Sequence, residues 1–414
     1  MTLQTSRIGH APKASSGLYF TIAAGAVIMT VALGIRQSYG LIVGPAVVEW
    51  GISFSMFTLA IALHNLIWGV AQPFAGAAAD RYGATPVLVA GVIAYTLGLT
   101  LTALWPGTWG AMLGTGVLVG IGLSCTGFGT VLVAVGRAAP PERRTALMGL
   151  ASALGSIGGA VLVPLAQLMI ETNGIAFSMF GLAAAMLAVA PFGLAFLLTD
   201  RKVRAAPMQE FVQPTLGQAL GEAVGQKDYI LLTLGFFTCG FQLAFFAVHF
   251  PSYLVSCHLS VSVGALALAI FGGANALGTW ICGILGSRYR PQYVLGWIYL
   301  LRGVAIVALV LLPKTEAVAL GFAAALGLLG LGAVPLTSGL IARIFGVANL
   351  GMLFGVVFLN HQIGSFFGAW FGGWLIDRGG SYDDIWIATA VAGGVAALLH
   401  FLISDQPVAR AAPA

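Results

Sequence analysis

Gly76-Ala-Ala-Ala-Asp80-Arg81-Tyr82-Gly83 has an echo 207 residues later, Gly283-Ile-Leu-Gly-Ser287-Arg288-Tyr289-Arg290. Each stretch follows a long apolar run and precedes the next. A second pair repeats at an offset of 206: Met148-Gly149 through Gly158 aligns with Phe354-Gly355 through Gly364. The offset is half of the 414-residue chain, so the two halves are copies of one unit. Parallel repeats of this kind build membrane bundles with a binding site between the copies, near the bilayer midplane.

Composition sets the solvent. Hydrophobic residues make up 59% and charged residues 7%. The mean hydropathy is +0.97. Soluble domains do not have these values, so the chain is an integral membrane protein. Twelve stretches are long enough to span, at about 18–46, 54–78, 86–105, 109–136, 146–170, 175–198, 229–254, 260–286, 292–312, 318–342, 352–375 and 384–403. The first run is too long for a cleaved signal and reads as a retained span. The expected fold is all-α: twelve transmembrane helices in two pseudo-symmetric six-helix halves. Residues 1–198 form the first half and 229–414 the second, with a polar cytoplasmic loop at 199–228.

Charge sets the orientation. With the N-terminus in the cytoplasm, fourteen of the eighteen Lys and Arg residues fall inside. Lys314 and Arg378 fall outside, and Arg36 and Arg302 lie within spans. The asymmetry follows the positive-inside rule. Both termini are expected in the cytoplasm of a bacterial inner membrane. The net charge of +5 is thus a topology signal, not a nucleic-acid footprint. Four scattered cysteines, without CxxC spacing, read as packing residues. No GxSxG, HExxH or P-loop pattern occurs, so no enzyme, cofactor or metal is expected.

Gly76-x-x-x-Asp80-Arg81-x-Gly83 resembles the loop motif between spans two and three of the major facilitator superfamily. In that family basic residues usually follow; here Ala84-Thr85-Pro86 does, and Ser287 replaces the acid in the second copy. The resemblance implies that Asp80 and Arg81 belong to a cytoplasmic gate. The plain alternative is a turn with a surface ion pair. A narrower resemblance is to the monocarboxylate transporters and the oxalate–formate exchangers. It rests on Ser38-x-Gly40, Gly120-Ile-Gly122-Leu, Arg143, Gly149, Gly155 and Pro164-Leu165-x-Gln167. It implies transport of small organic anions. The family's span-eight arginine and aspartate correspond to Thr279 and Asn275, so both charges are missing. A span-one lysine of the mammalian members aligns with Gln37, and a span-eleven lysine of the exchangers with His361.

The residues point the same way. All thirteen acids lie in loops or at span ends. Arg36 therefore has no carboxylate at its depth, and arginine does not shed its proton to escape burial. A substrate carboxylate would suit its two-pronged fork. Against this, Arg36 would simply bond backbone carbonyls. Tyr39 shares its helix face. Asn65, with Trp68 and Gln72, forms a polar stripe on span two; Gln242 lies on span seven. His361 and Gln362 lie on span eleven, where Gly364, Ser365 and Gly368 let a partner helix approach. His361 is the expected proton-coupling residue. Arg302 lies mid-span in the ninth run, either reaching the cavity or bonding a neighbouring helix.

The expected function is a secondary transporter of small organic anions, monocarboxylates foremost, by proton symport or anion exchange. Its expected partners are the anion, protons or a counter-anion, and the bilayer; the expected state is a monomer. The alternatives are an exporter of drugs or metabolites on the same fold, and a non-transporting membrane sensor. A cation exporter would want an intramembrane acid, and a sensor an output domain.

Overall fold

The computed structural model describes residues 16–138, 144–197, 200, 216–345 and 350–407. Eleven helical segments among them are long and apolar enough to cross a bilayer. One of these, Gly149–Phe196, has 48 residues, twice the length of a span. It folds back at Gly174, where φ is +82°. That left-handed conformation favours glycine. Glu49, at the end of span one, accepts from the Ile175 N–H beyond the turn, 3.5 Å away. The 48 residues are therefore spans five and six, and the bundle has twelve spans.

The unbroken spans are one (Ser16–Trp50), two (Phe54–Tyr82), three (Ala84–Leu104), seven (Lys227–Ser256), eight (Val261–Arg288), nine (Pro291–Leu311), eleven (Leu350–Ile376) and twelve (Tyr382–Phe401). Span four is segmented, contrary to the single run read from sequence. A π-helical stretch, Ala111–Leu118, leads into Val119–Thr126, and extended Gly127 separates this from Phe128–Ala138. Span five begins as Arg144–Ser156 and turns at Ile157. Span ten is two helices, Glu316–Leu328 and Ala333–Phe345. Part of the polar segment before span seven is also helical, Leu216–Val224. In lipid each break must be re-satisfied by protein groups.

Helices meet where side chains are small. Span eleven lies on span seven: a Cβ at Gly364 would overlap the Phe237 carbonyl, and one at Gly368 the Phe241 carbonyl. The halves meet as span one on seven, two on eleven and five on eight. At one end of the bundle they are tied directly: Asp377 at the end of span eleven accepts from the Ser55 N–H at the start of span two, 3.0 Å away.

The opposite end shows the repeat in a form hidden from sequence. Asp200, after span six, accepts from the Ala84 and Thr85 N–H groups at 2.8 and 3.0 Å and so caps span three. Its counterpart after span twelve is Asp405, 205 residues on. Asp405 pairs with Arg290 at the start of span nine, and with Arg343 at 2.9 Å. One carboxylate thus holds the start of a span in each half.

Partial burial would raise the Asp405 acid, but hydrogen bonds from Arg290 and Arg343 outweigh it and hold the carboxyl below its usual range. A lowered folded pKa means the contribution is present above the unfolded value and disappears as pH falls through the folded one. The Asp405→Asn variant should therefore melt below wild type at pH 7. The gap should close on acidification past the carboxylate range, as followed by thermal unfolding in detergent.

Candidate functional site

Arg36 projects from the middle of span one and stays partly exposed within the bundle. Its Nε and Nη2 donate to one atom, Asn65 Oδ1 on span two, at 3.3 and 3.0 Å. Asn65 Nδ2 donates to the Ile61 carbonyl at 3.0 Å, which fixes the amide's orientation. The guanidinium carbon lies 5.5 Å from the centre of the Trp68 ring, a favourable cation–π position. Trp68 Nε1 in turn donates to Gln72 Oε1 at 2.9 Å, and Gln72 Nε2 to the Ser124 carbonyl at 3.1 Å. The span-two stripe is thus a supporting rail for Arg36. Among the described residues its hydrogen-bond partner is the Asn65 amide oxygen, not a carboxylate or a backbone carbonyl.

From Asn65 the chain of contacts crosses to the other half. Gln362 Nε2 donates to the Asn65 carbonyl at 3.0 Å. Gln362 Oε1 lies 2.8 Å from His361 Nδ1. The imidazole stacks on Phe358, centroids 5.6 Å apart, and packs against Phe236 at 4.8 Å. Phe358 meets Trp68 edge-on at 5.2 Å. Arg36, Asn65, Gln362 and His361, each singled out from sequence, form one continuous set over spans one, two and eleven. Phe358 was missed. Its signal was its place one turn before His361 and Gln362.

A family model described as Major Facilitator Superfamily matches residues 15–334 and 234–414. The chain belongs to the major facilitator superfamily. It is similar to monocarboxylate transporter 11 of Mus musculus, 24% identical over 87% of this chain and 81% of that protein. It is also similar to the hexuronate transporter of Bacillus subtilis (strain 168), 24% identical over 84% and 83%. Against the Fujikurins efflux protein of Gibberella fujikuroi it is 25% identical over 79% and 68%. It is a multi-pass membrane transporter, not an enzyme.

In this superfamily member the second intramembrane arginine has a different setting. Arg302 is fully buried. Its Nε donates to the Leu329 carbonyl at 2.7 Å, and its Nη2 to the Leu329 and Gly330 carbonyls. Nη1 donates to Cys239 Sγ at 3.3 Å. These carbonyls lie at the break in span ten, so Arg302 bonds a neighbouring helix. The repeat supports this: Tyr95, 207 residues before Arg302, donates its hydroxyl to the carbonyl of Ala32, 207 residues before Cys239. Cys239, read as packing, is a hydrogen-bond acceptor.

The other named residues have partners of their own. Gln242 Nε2 donates to the Thr389 carbonyl at 2.9 Å, between spans seven and twelve. Tyr39 is buried against His64, ring centroids 5.6 Å apart. His249, on span seven, is buried with Nε2 2.7 Å from the Ala369 carbonyl. Asn275, at a position of a lost family charge, accepts from the Leu331 N–H at 2.6 Å, again at the span-ten break. Asp80 and Arg81 sit at the end of the span-two helix; their side chains lie outside the described residues.

The two arginines should respond oppositely to replacement. Arg302→Met leaves buried carbonyls unpaired and should cost roughly 3 kcal/mol of stability. Arg36→Gln keeps a neutral donor near Asn65 and should melt close to wild type. Thermal unfolding of both purified variants, side by side, checks the assignment.

Proposed function

We propose that this transporter carries small organic anions, monocarboxylates foremost, and that Arg36 is the group that binds the carboxylate. The single observation behind it is the partly exposed Arg36 guanidinium, whose acceptor among the described residues is an amide oxygen. An amide neutralises no charge. A carboxylate on the same fork would gain two parallel charge-assisted bonds. Asn65 then holds the guanidinium in place between turnovers. Trp68 covers one side of the guanidinium. The likeness to monocarboxylate transporter 11 supports the substrate class.

Transport proceeds by rocking the halves about this site. Gln362 on Asn65 ties the halves at mid-depth, so loading Arg36 acts on a contact between them. His361 lies at the end of the same set and is our proton-coupling residue. Anion and proton then bind together, as symport requires. The same site without protonation would run anion exchange. Arg302, Gln242 and Tyr39 act behind it, as supports. The bundle sits with both termini in the cytoplasm of a bacterial inner membrane and works as a monomer, its two halves joined by the 199–228 loop. Asp80 and Arg81 serve the cytoplasmic gate.

Uptake of radiolabelled short carboxylates into proteoliposomes, with and without a pH gradient, tests this. Wild type should accumulate a monocarboxylate. Arg36→Gln should lose uptake at least roughly tenfold, the scale of one charge-assisted bond, and Arg36→Lys should recover part of it, because a point charge lacks the fork. His361→Gln should lose gradient-driven accumulation more than exchange at equal pH. Normal uptake by Arg36→Gln would contradict the site.

A further inference from the structure

The hydrogen bonds around Gln362 fix which nitrogen of His361 carries the hydrogen. The Asn65 carbonyl only accepts, so the Gln362 group 3.0 Å from it is the amide Nε2–H. Gln362 Oε1 therefore points the other way, and it too only accepts. It lies 2.8 Å from His361 Nδ1, which must then be the N–H of the ring. In a neutral imidazole the second nitrogen, Nε2, is left with a lone pair. His361 is buried, and its Nε2 has no hydrogen-bond partner. A buried acceptor of this kind is costly unless a donor serves it.

Span seven brings a donor to this ring. Phe236, Cys239 and Gly240 lie on one face of that helix. Phe236 packs on the imidazole at 4.8 Å, and a Cβ at Gly240 would overlap the His361 carbonyl. Cys239, between them, is fully buried and interacts with the same ring. Its sulfur is engaged from the other side, where Arg302 Nη1 donates to Sγ at 3.3 Å. A guanidinium has no lone pair to offer in return. The thiol's own hydrogen is therefore unused by Arg302 and turns about the Cβ–Sγ bond toward another acceptor. Besides His361, the Tyr299 hydroxyl also interacts with this thiol.

We infer that the Cys239 thiol donates to His361 Nε2, and that Cys239 is the positioning residue that holds this ring in its Nδ1–H form. The bonds then run in one sense from Arg302 through Cys239, His361 and Gln362 to Asn65, which also accepts from Arg36. Bonds aligned in this way strengthen one another. Without the thiol hydrogen, the ring gains by carrying its own hydrogen on Nε2. Nδ1 and Gln362 Oε1 would then be two acceptors facing each other, and the Gln362 bridge to the first half would weaken. The hydrogen bond itself does not depend on the substrate. Its part in transport rests on the function proposed above: Nε2 is the atom at which a coupling proton arrives, so the thiol hydrogen turns away at that step.

The S–H stretching band of Cys239 tests this without any substrate. Infrared spectra of the full chain in nanodiscs, wild type minus Cys239→Ala, isolate that band, because Cys125, Cys257 and Cys282 cancel. In wild type it should lie at the low frequency of a bonded thiol. It should move to the free-thiol position in His361→Phe and stay in place in Tyr299→Phe. A free-thiol band in wild type, or no band at all, would overturn the inference, and neither result needs the His361 variant to fold. A band that moves with Tyr299→Phe and not with His361→Phe would also overturn it. Uptake of a radiolabelled monocarboxylate reads the positioning role. Cys239→Ala should lower it roughly fivefold, the scale of one neutral hydrogen bond, and Cys239→Ser, which keeps a donor, should restore most of it. Wild-type uptake by Cys239→Ala would overturn that role. Absence of uptake in wild type would instead contradict the reading of Arg36 and leave the spectral result to decide the hydrogen bond.

Discussion

A guanidinium at mid-membrane with an amide oxygen for company is the constraint on which this transporter depends. Desolvating a charge is expensive, and arginine does not discharge itself. The structure meets part of that demand with Asn65 and the face of Trp68. It leaves the charge itself uncompensated by any carboxylate pairing with Arg36 among the described residues. Around that unmet demand the other polar groups are ordered: Gln72 steadies Trp68, and Gln362 reaches the Asn65 backbone from the other half. Under the function proposed above, a site built this way is stable enough to fold and still gains from an anion.

The two intramembrane arginines show how the same residue does opposite work. Arg302 is enclosed, with three acceptors supplied by the protein. Its role is to finish a helix that stops midway through the bilayer. Arg36 is partly exposed, with one acceptor holding two of its donors. The difference lies in the surroundings. Span ten breaks beside Arg302, whereas span two runs unbroken past Arg36 and offers side chains only.

That contrast also explains what could be read from the chain. The twelve spans and the repeat were legible because apolar length and echoing loops are local signals. Arg36, Asn65, His361 and Gln362 stood out as polar residues in apolar runs, and three-dimensional structure brought them into one set. Arg302 stood out equally, but its role depends on Leu329 and Gly330, twenty-seven and twenty-eight residues away. The Gly330 and Gly332 pair inside an apolar run was the available hint of a break. Asp200 and Asp405 looked like loop charges because their partners, Ala84 and Arg343, are distant in sequence. The partner of Gln242 was hidden for a related reason: its helix faces several neighbours, and sequence does not say which.

We propose that Arg36 recognises charge rather than shape. Binding of a short monocarboxylate and of its uncharged amide, near-identical in size, to the purified transporter tests this most directly by calorimetry. Wild type should bind the carboxylate and not the amide, and Arg36→Gln should abolish the difference. Equal binding of both by wild type, or a preference that survives in Arg36→Gln, would contradict it.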